Sequence, residues 1–187
     1  MAIAFVFELW VHSEKVRFLL FGKEFWKALW RRIFWGKYFL ITIEICLSIG
    51  FLAFLADKEH MPLLIAPFGA TAAMLYGVPH SQMAKLSHVI CGHFISAAVG
   101  ISCYQLLGNN WYSVTLGLSL AVILMLMTDT IHPPGGATAV LCILGREDFS
   151  FLLLPLGLGL LVLSIVYLLG CLVMKKLSMT DPQERYY

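Results

Sequence analysis

Charge is what this chain has least of. Only 13% of its 187 residues are Asp, Glu, Lys or Arg, where ordinary soluble domains carry roughly 25%. With 60% hydrophobic residues and a mean hydropathy of +0.84, the chain has too little polar surface to face water as a monomer. Disorder and a free nucleic-acid-binding domain are excluded, and no nucleic-acid partner is expected. There is no C-x-x-C. The five cysteines, Cys46, Cys91, Cys103, Cys142 and Cys171, are odd in number and lie in apolar segments, so they read as buried small hydrophobes, with no disulfide framework or zinc site. G-x-S-x-G, H-E-x-x-H and a phosphate loop are all missing. His88, Cys91 and His93 do not repeat on one helical face. The chain therefore reads as no enzyme, with no metal and no cofactor. No basic region precedes the apolar start Met1–Val11 and no small-x-small site follows it, which argues against a cleaved signal peptide.

What the chain does have is long apolar runs, which make it an all-α integral membrane protein whose first partner is the lipid bilayer. A hydrocarbon core needs about 20 apolar helical residues. Four stretches meet or approach that: Tyr38–Ala56, Val89–Leu107, Trp111–Thr128 and Phe149–Met174, the last with Pro155 at an early-turn position. Two more, Met61–Val78 and His132–Gly145, are interrupted by Pro62, Pro67, Gly69 and Gly77, and by Pro133, Pro134, Gly135 and Gly136. They read as re-entrant segments, because broken backbone at membrane depth survives only inside protein or along a wet cavity. The expected organisation is an N-terminal segment 1–37, a transmembrane domain 38–176 and a short tail 177–187.

Basic residues orient it. Lys15, Arg17, Lys23, Lys27, Arg31, Arg32 and Lys37 precede the first span, and Lys175, Lys176 and Arg185 follow the last. Lys58, Lys85 and Arg146 are left for the connections. The positive-inside rule puts both termini in the cytoplasm, which an even number of crossings satisfies. Within Gly22–Gly36, Trp26, Trp30 and Ile33 recur at helical spacing among Lys23, Lys27, Arg31 and Arg32. This pattern fits an interfacial amphipathic helix, or a helix packed on another subunit.

Pro67-Phe68-Gly69-Ala70-Thr71-Ala72 and Pro134-Gly135-Gly136-Ala137-Thr138-Ala139 agree at five of six positions. Each opens a broken segment between two spans, so the domain reads as span, half-helix, span, twice over, in units of about 38–107 and 111–174. Such units are related by an axis along the membrane normal. Proline suits a helix start, and glycine lets backbone or ligand come close. The first N–H groups of a helix have no partner in the chain and favour an anion. Pro67, Gly69, Ala70, Thr71, Pro134, Gly136, Ala137 and Thr138 are thus candidates to bind a small anion. The competing reading is close helix packing through small residues.

Ionisable residues at membrane depth are costly and usually functional. His132, directly before the double proline, joins the binding candidates. Glu44, His93 and Asp129 are candidates for gating or proton linkage. Asp129 and His132 are one turn apart and able to pair, although Asp129 could instead cap the following helix, and Glu44 and His93 could be structural. Lys85 and His88 are candidates to gather anions at the mouth, or members of a solvated loop.

The run His132-Pro133-Pro134-Gly135-Gly136-Ala137-Thr138-Ala139 is similar to the signature of the HPP family of integral membrane proteins. Pro67–Ala72 and Pro79-His80-Ser81, followed by Gly92-His93, resemble that family's other recurrent segment. The resemblance covers roughly Tyr38 to Met174. It implies four spans and, through plant plastid and cyanobacterial relatives, nitrite transport. Many bacterial relatives carry a cytoplasmic CBS pair after the last span; only Lys175–Tyr187 follows here, and that module is expected to be missing. Where the family often has Gln-Pro-Arg, this chain has Ala84-Lys85-Leu86-Ser87, so Lys85 would offer a point charge without a bidentate fork.

The expected function is a channel or proton-linked permease for a small monovalent anion, nitrite first. It would sit in a bacterial-type inner or plasma membrane, as a homo-oligomer with a dimer favoured. The alternatives are an intramembrane enzyme using Asp129 and His132, and a non-transporting scaffold or sensor subunit.

Overall fold

The computed structural model describes residues 37–58 and 65–178. The amphipathic stretch Gly22–Gly36, the basic flank before Lys37 and the tail beyond Ser178 lie outside the described residues. The chain divides into two units, Met1–Thr42 and Ile43–Tyr187. Of the first, only residues 37–42 are described, a helical start in which the Thr42 hydroxyl donates to the Tyr38 carbonyl at 2.8 Å.

The described residues form helices and no strand. In order these are α1 (Lys37–Lys58), α2 (Ala66–Gly77), a 3-10 turn (Gln82–Ala84), α3 (Leu86–Leu107), α4 (Trp111–Met127), α5 (Pro133–Gly145), a 3-10 turn (Phe149–Leu152), a wider turn (Leu153–Gly157) and α6 (Leu158–Ser178). Tyr38–Lys58, Leu86–Leu107 and Phe149–Lys176 are long and apolar enough to cross a membrane. Helix α4, expected to span, has 17 residues. At ~1.5 Å per residue it is about 25 Å long, at the lower end of the roughly 17–25 residues that cross a hydrocarbon core.

Local chemistry sets most of these boundaries. Both repeat copies start a helix: α2 and α5 each carry proline in the first turn, where the missing N–H has no partner to lose. His132 precedes Pro133 and is extended (φ −140°, ψ 102°), because the proline ring disfavours helical backbone in the residue before it. Gly108, at φ 78°, ends α3, and Asn110 starts α4 by accepting the Ser113 N–H at 2.9 Å. Asp148 accepts the Ser150 N–H at 2.7 Å, and hydrogen bonding from the Ser150 side chain first, with this N–H second, holds its carboxyl below the usual range.

Two expectations need correction. Phe149–Met174 is not one helix with Pro155 in its first turn. Leu154 is extended (φ −134°, ψ 123°), again the constraint on a residue before proline, and the regular helix starts only at Leu158. The cysteines are all unpaired, but only Cys103 and Cys142 are buried; Cys46, Cys91 and Cys171 lie on exposed faces.

Helices α3, α4 and α5 pack on one another, and α2 touches α5 and α6. The α3–α5 contact is backbone against backbone. A Cβ on Gly100 would stand 2.5 Å from the Ala139 carbonyl oxygen, and one on Gly135 would stand 3.0 Å from the Gly92 carbonyl. Phe68, fully buried, lies against Gly159. The outer faces are apolar: α4 exposes Leu120, Ile123 and Leu126, and α6 exposes Leu161, Ile165 and Leu168. Surfaces of this kind suit lipid rather than water.

Candidate functional site

The α2, α3 and α5 helices and the loop before α5 meet around four polar side chains. Thr71, His93, His132 and Thr138 are each fully buried. The repeat places Thr71 five residues into α2 and Thr138 five residues into α5, and α3 carries His93 between them. Thr71 Oγ1 lies 2.8 Å from His93 Nε2, and Thr138 Oγ1 lies 2.7 Å from His93 Nδ1. The two repeat threonines thus hold the two nitrogens of one imidazole.

His132 extends the set. Its Nε2 is 3.2 Å from Thr71 Oγ1, and its Nδ1 is 2.7 Å from the carbonyl oxygen of Met83. A carbonyl only accepts, so Nδ1 carries a proton and donates. The rings of His93 and His132 are 5.1 Å apart, tilted by 57°, and the edge of Phe68 packs against His93 at 6.0 Å. Thr71 also donates to its own helix at the Pro67 carbonyl, 3.0 Å away. Among the described residues no buried polar side-chain atom lacks a partner.

Close backbone approach makes this possible. A Cβ on Gly92 would stand 2.8 Å from His132 Cβ and 3.1 Å from the Thr130 carbonyl oxygen. Any other residue there would push the loop, and His132 with it, away from α3.

The remaining candidates are distributed around this core. Pro67, Pro134 and Gly136 are buried beside it, whereas Gly69, Ala70 and Ala137 lie on exposed faces, and a Cβ on Gly69 would meet nothing within 4 Å. At the start of α5, Gly135 lies against α3, where an added Cβ would stand 3.0 Å from the Gly92 carbonyl. His88 is buried, with Nδ1 3.4 Å from the Ile131 carbonyl, while Lys85 is exposed at the start of α3. Glu44 is buried elsewhere, against Gly170 of α6.

Asp129 does not pair with His132. It is exposed and left-handed (φ 50°). Its N–H bonds the Leu126 carbonyl and the Thr130 N–H bonds Met125, a Schellman ending of α4 that turns the carboxylate outward. Nor does it cap α5, whose N-cap is His132, with no side-chain bond. The group that sequence reasoning missed is the Met83 carbonyl. A main-chain acceptor leaves no signal in residue type. Among the described residues no cluster of three His, Cys, Asp or Glu could hold a metal.

A family model described as "HPP, transmembrane region" matches residues 30–179. Two transmembrane proteins of Dictyostelium discoideum are similar. One is 37% identical over 121 residues, covering 60% of this chain and 42% of its own length. The other is 32% identical over 121 residues, covering 60% of this chain and 39% of its own length. The chain thus spans about two fifths of the length of these curated relatives. No solved structure matches at a significant level.

Proposed function

The chain belongs to the HPP transmembrane family, and from that premise we propose that it is a permease for a small monovalent anion, nitrite first, acting without a covalent step. One observation carries the proposal: the repeated Thr71 and Thr138 grip both nitrogens of His93 in the centre of the domain. Polar and ionisable groups at that depth are expensive and usually mark a pathway, and paired short helices in corresponding positions of two repeats are the usual pointer to a transport site. In this reading α1, α3, α4 and α6 make four crossings of a plasma-type membrane. Helices α2 and α5 enter from the outer side, both termini are cytoplasmic, and two copies associate. The exposed Lys85 offers a charge at the mouth.

An intramembrane enzyme using Asp129 and His132 is the weaker reading, because the carboxylate points away from the ring. A scaffold held together by the polar cluster is the other. Purified full-length chain in liposomes separates them. The expected result is protein-dependent uptake of unaltered nitrite, exceeding that of protein-free liposomes, through which neutral nitrous acid leaks. No flux of nitrite, nitrate, formate or chloride at any pH from about 8 to 6, the range in which an ordinary imidazole takes up its proton, would overturn the permease.

A further inference from the structure

Counting protons along the four side chains gives them a direction. His132 Nδ1–H is committed to the Met83 carbonyl, so a neutral His132 needs a donor at Nε2. Only the Thr71 hydroxyl reaches it. The single Thr71 proton is already divided between the Pro67 carbonyl at 3.0 Å and His132 Nε2 at 3.2 Å and is not available to His93, so His93 carries its own proton on Nε2 and donates to Thr71. His93 Nδ1 is then bare and takes the proton of Thr138. The opposite tautomer of His93 would leave one imidazole nitrogen without a donor, a costly state for a buried group. The resting order is therefore Thr138 to His93 to Thr71 to His132 to Met83, with the Pro67 carbonyl sharing the Thr71 proton.

The two ends differ. At Met83 the chain stops on a carbonyl, which has no proton to pass on. At Thr138 it stops on a hydroxyl with lone pairs to spare. Thr71 has three partners, whereas among the described residues the Thr138 hydroxyl has His93 alone.

We infer that Thr138, His93, Thr71 and His132 form a one-ended proton relay that takes up the proton of a weak acid at Thr138 and stores it on His132. This rests on the permease reading for its substrate, and it narrows that substrate to the anion of a weak acid travelling with its proton. The transfer balances. The acid gives its proton to Thr138 Oγ1, whose own proton moves to His93 Nδ1. The His93 Nε2 proton moves to Thr71 Oγ1, and the Thr71 proton moves to His132 Nε2. Each relay atom that loses a proton gains one, and no electrons are transferred. The acid becomes its anion, and the added charge rests on the His132 imidazolium. Reversal returns the proton. All four side chains are fully buried in this conformation, so the acid reaches Thr138 only when the site opens.

The inverted order moves the His93 proton from the nitrogen that shares Thr71 with His132 to the one bonded to Thr138. The titratable groups around His132 are His93, 5.1 Å away between ring centres, and His88, bonded to the preceding residue's carbonyl. Lys85 and Asp129 are exposed.

The relay is tested without flux. Full-length chain labelled with 15N-histidine is placed in lipid bilayers and followed by solid-state NMR as pH falls, the six histidines being assigned by single His→Gln variants. At high pH, His93 should be protonated on Nε2 and His132 on Nδ1. As His132 becomes doubly protonated, the His93 proton should switch to Nδ1 at the same midpoint. Thr71→Ser should retain the linked switch and Thr71→Val should lose it. If Thr71→Val does not fold, the unmodified chain's titration decides alone. A His93 that keeps its Nε2 proton while His132 is charged overturns the relay. In liposomes carrying a pH dye, protein-dependent nitrite uptake should bring one proton per anion, and uptake without protons overturns the stored-proton step. A linked switch with no flux leaves the relay standing and defeats the permease instead.

Discussion

One oxygen, Thr71 Oγ1, has three partners within 3.2 Å. Replacing it by Val keeps the side-chain shape and strips two imidazole nitrogens of a partner, each at about 1–3 kcal/mol. Thr138→Val strips one. Thermal unfolding in mild detergent should therefore rank Thr71→Val as more damaging than Thr138→Val, with Thr71→Ser near the parent. Equal losses for the two valine variants would mean that the hydroxyls are not shared as the distances indicate. Thr71 and Thr138 are legible in sequence because the repeat marks them. His93 is legible only as an ionisable residue in an apolar helix, since its partners come from 22 and 45 positions away and no local periodicity joins them. Spacing alone suggests an Asp129–His132 pair, but a helix ending with a left-handed residue defeats spacing.

At the scale of helices, close approach does what side-chain interdigitation does elsewhere. A methyl on Gly100 would stand 2.5 Å from the Ala139 carbonyl oxygen and 2.9 Å from its Cα, and backbone cannot rotate away as a side chain can. Gly100→Ala should force α3 from α5 and lower the thermal midpoint sharply. Gly69→Ala, with open space around the new methyl, should leave stability unchanged or raise it by up to about 1 kcal/mol, because alanine loses less freedom in a helix. Paired melting curves check both, and a harmless Gly100→Ala would disprove the tight contact. The starts of α2 and α5 are readable from proline and glycine placement, and that of α4 from the apolar run that opens at Trp111. The extended Leu154 breaks an apolar run whose composition alone suggests continuity. Proline is compatible with a helix's first turn and with a kink, and only packing chooses between them.

For the molecule as a whole, charge asymmetry and an even number of crossings predict that both ends lie on one side. Cysteines placed at Ser13 and Ser178 in a background without native cysteines should react only with reagents reaching the cytoplasmic face. External labelling of either would remove the four-crossing arrangement. Exposed apolar faces on α4 and α6 leave room for lipid or a second copy, and light scattering in mild detergent should report a dimer; a monomer under several conditions would count against it.

The polar cluster draws on both halves of the chain: Thr71 and His93 come from the first, His132 and Thr138 from the second. The ribosome therefore delivers half of a mutually dependent set to the membrane before the other half has been translated. Until α5 arrives, Thr71 and His93 can bond each other but not complete the chain, and α3 has no partner backbone against Gly92 and Gly100. A fragment ending after Leu107 should be a substrate for membrane quality control, with a short half-life in pulse-chase labelling. Co-expression of the remainder, from Gly108 onward, should lengthen that half-life. A first fragment equally long-lived with and without its complement would mean that the early half is already content in lipid.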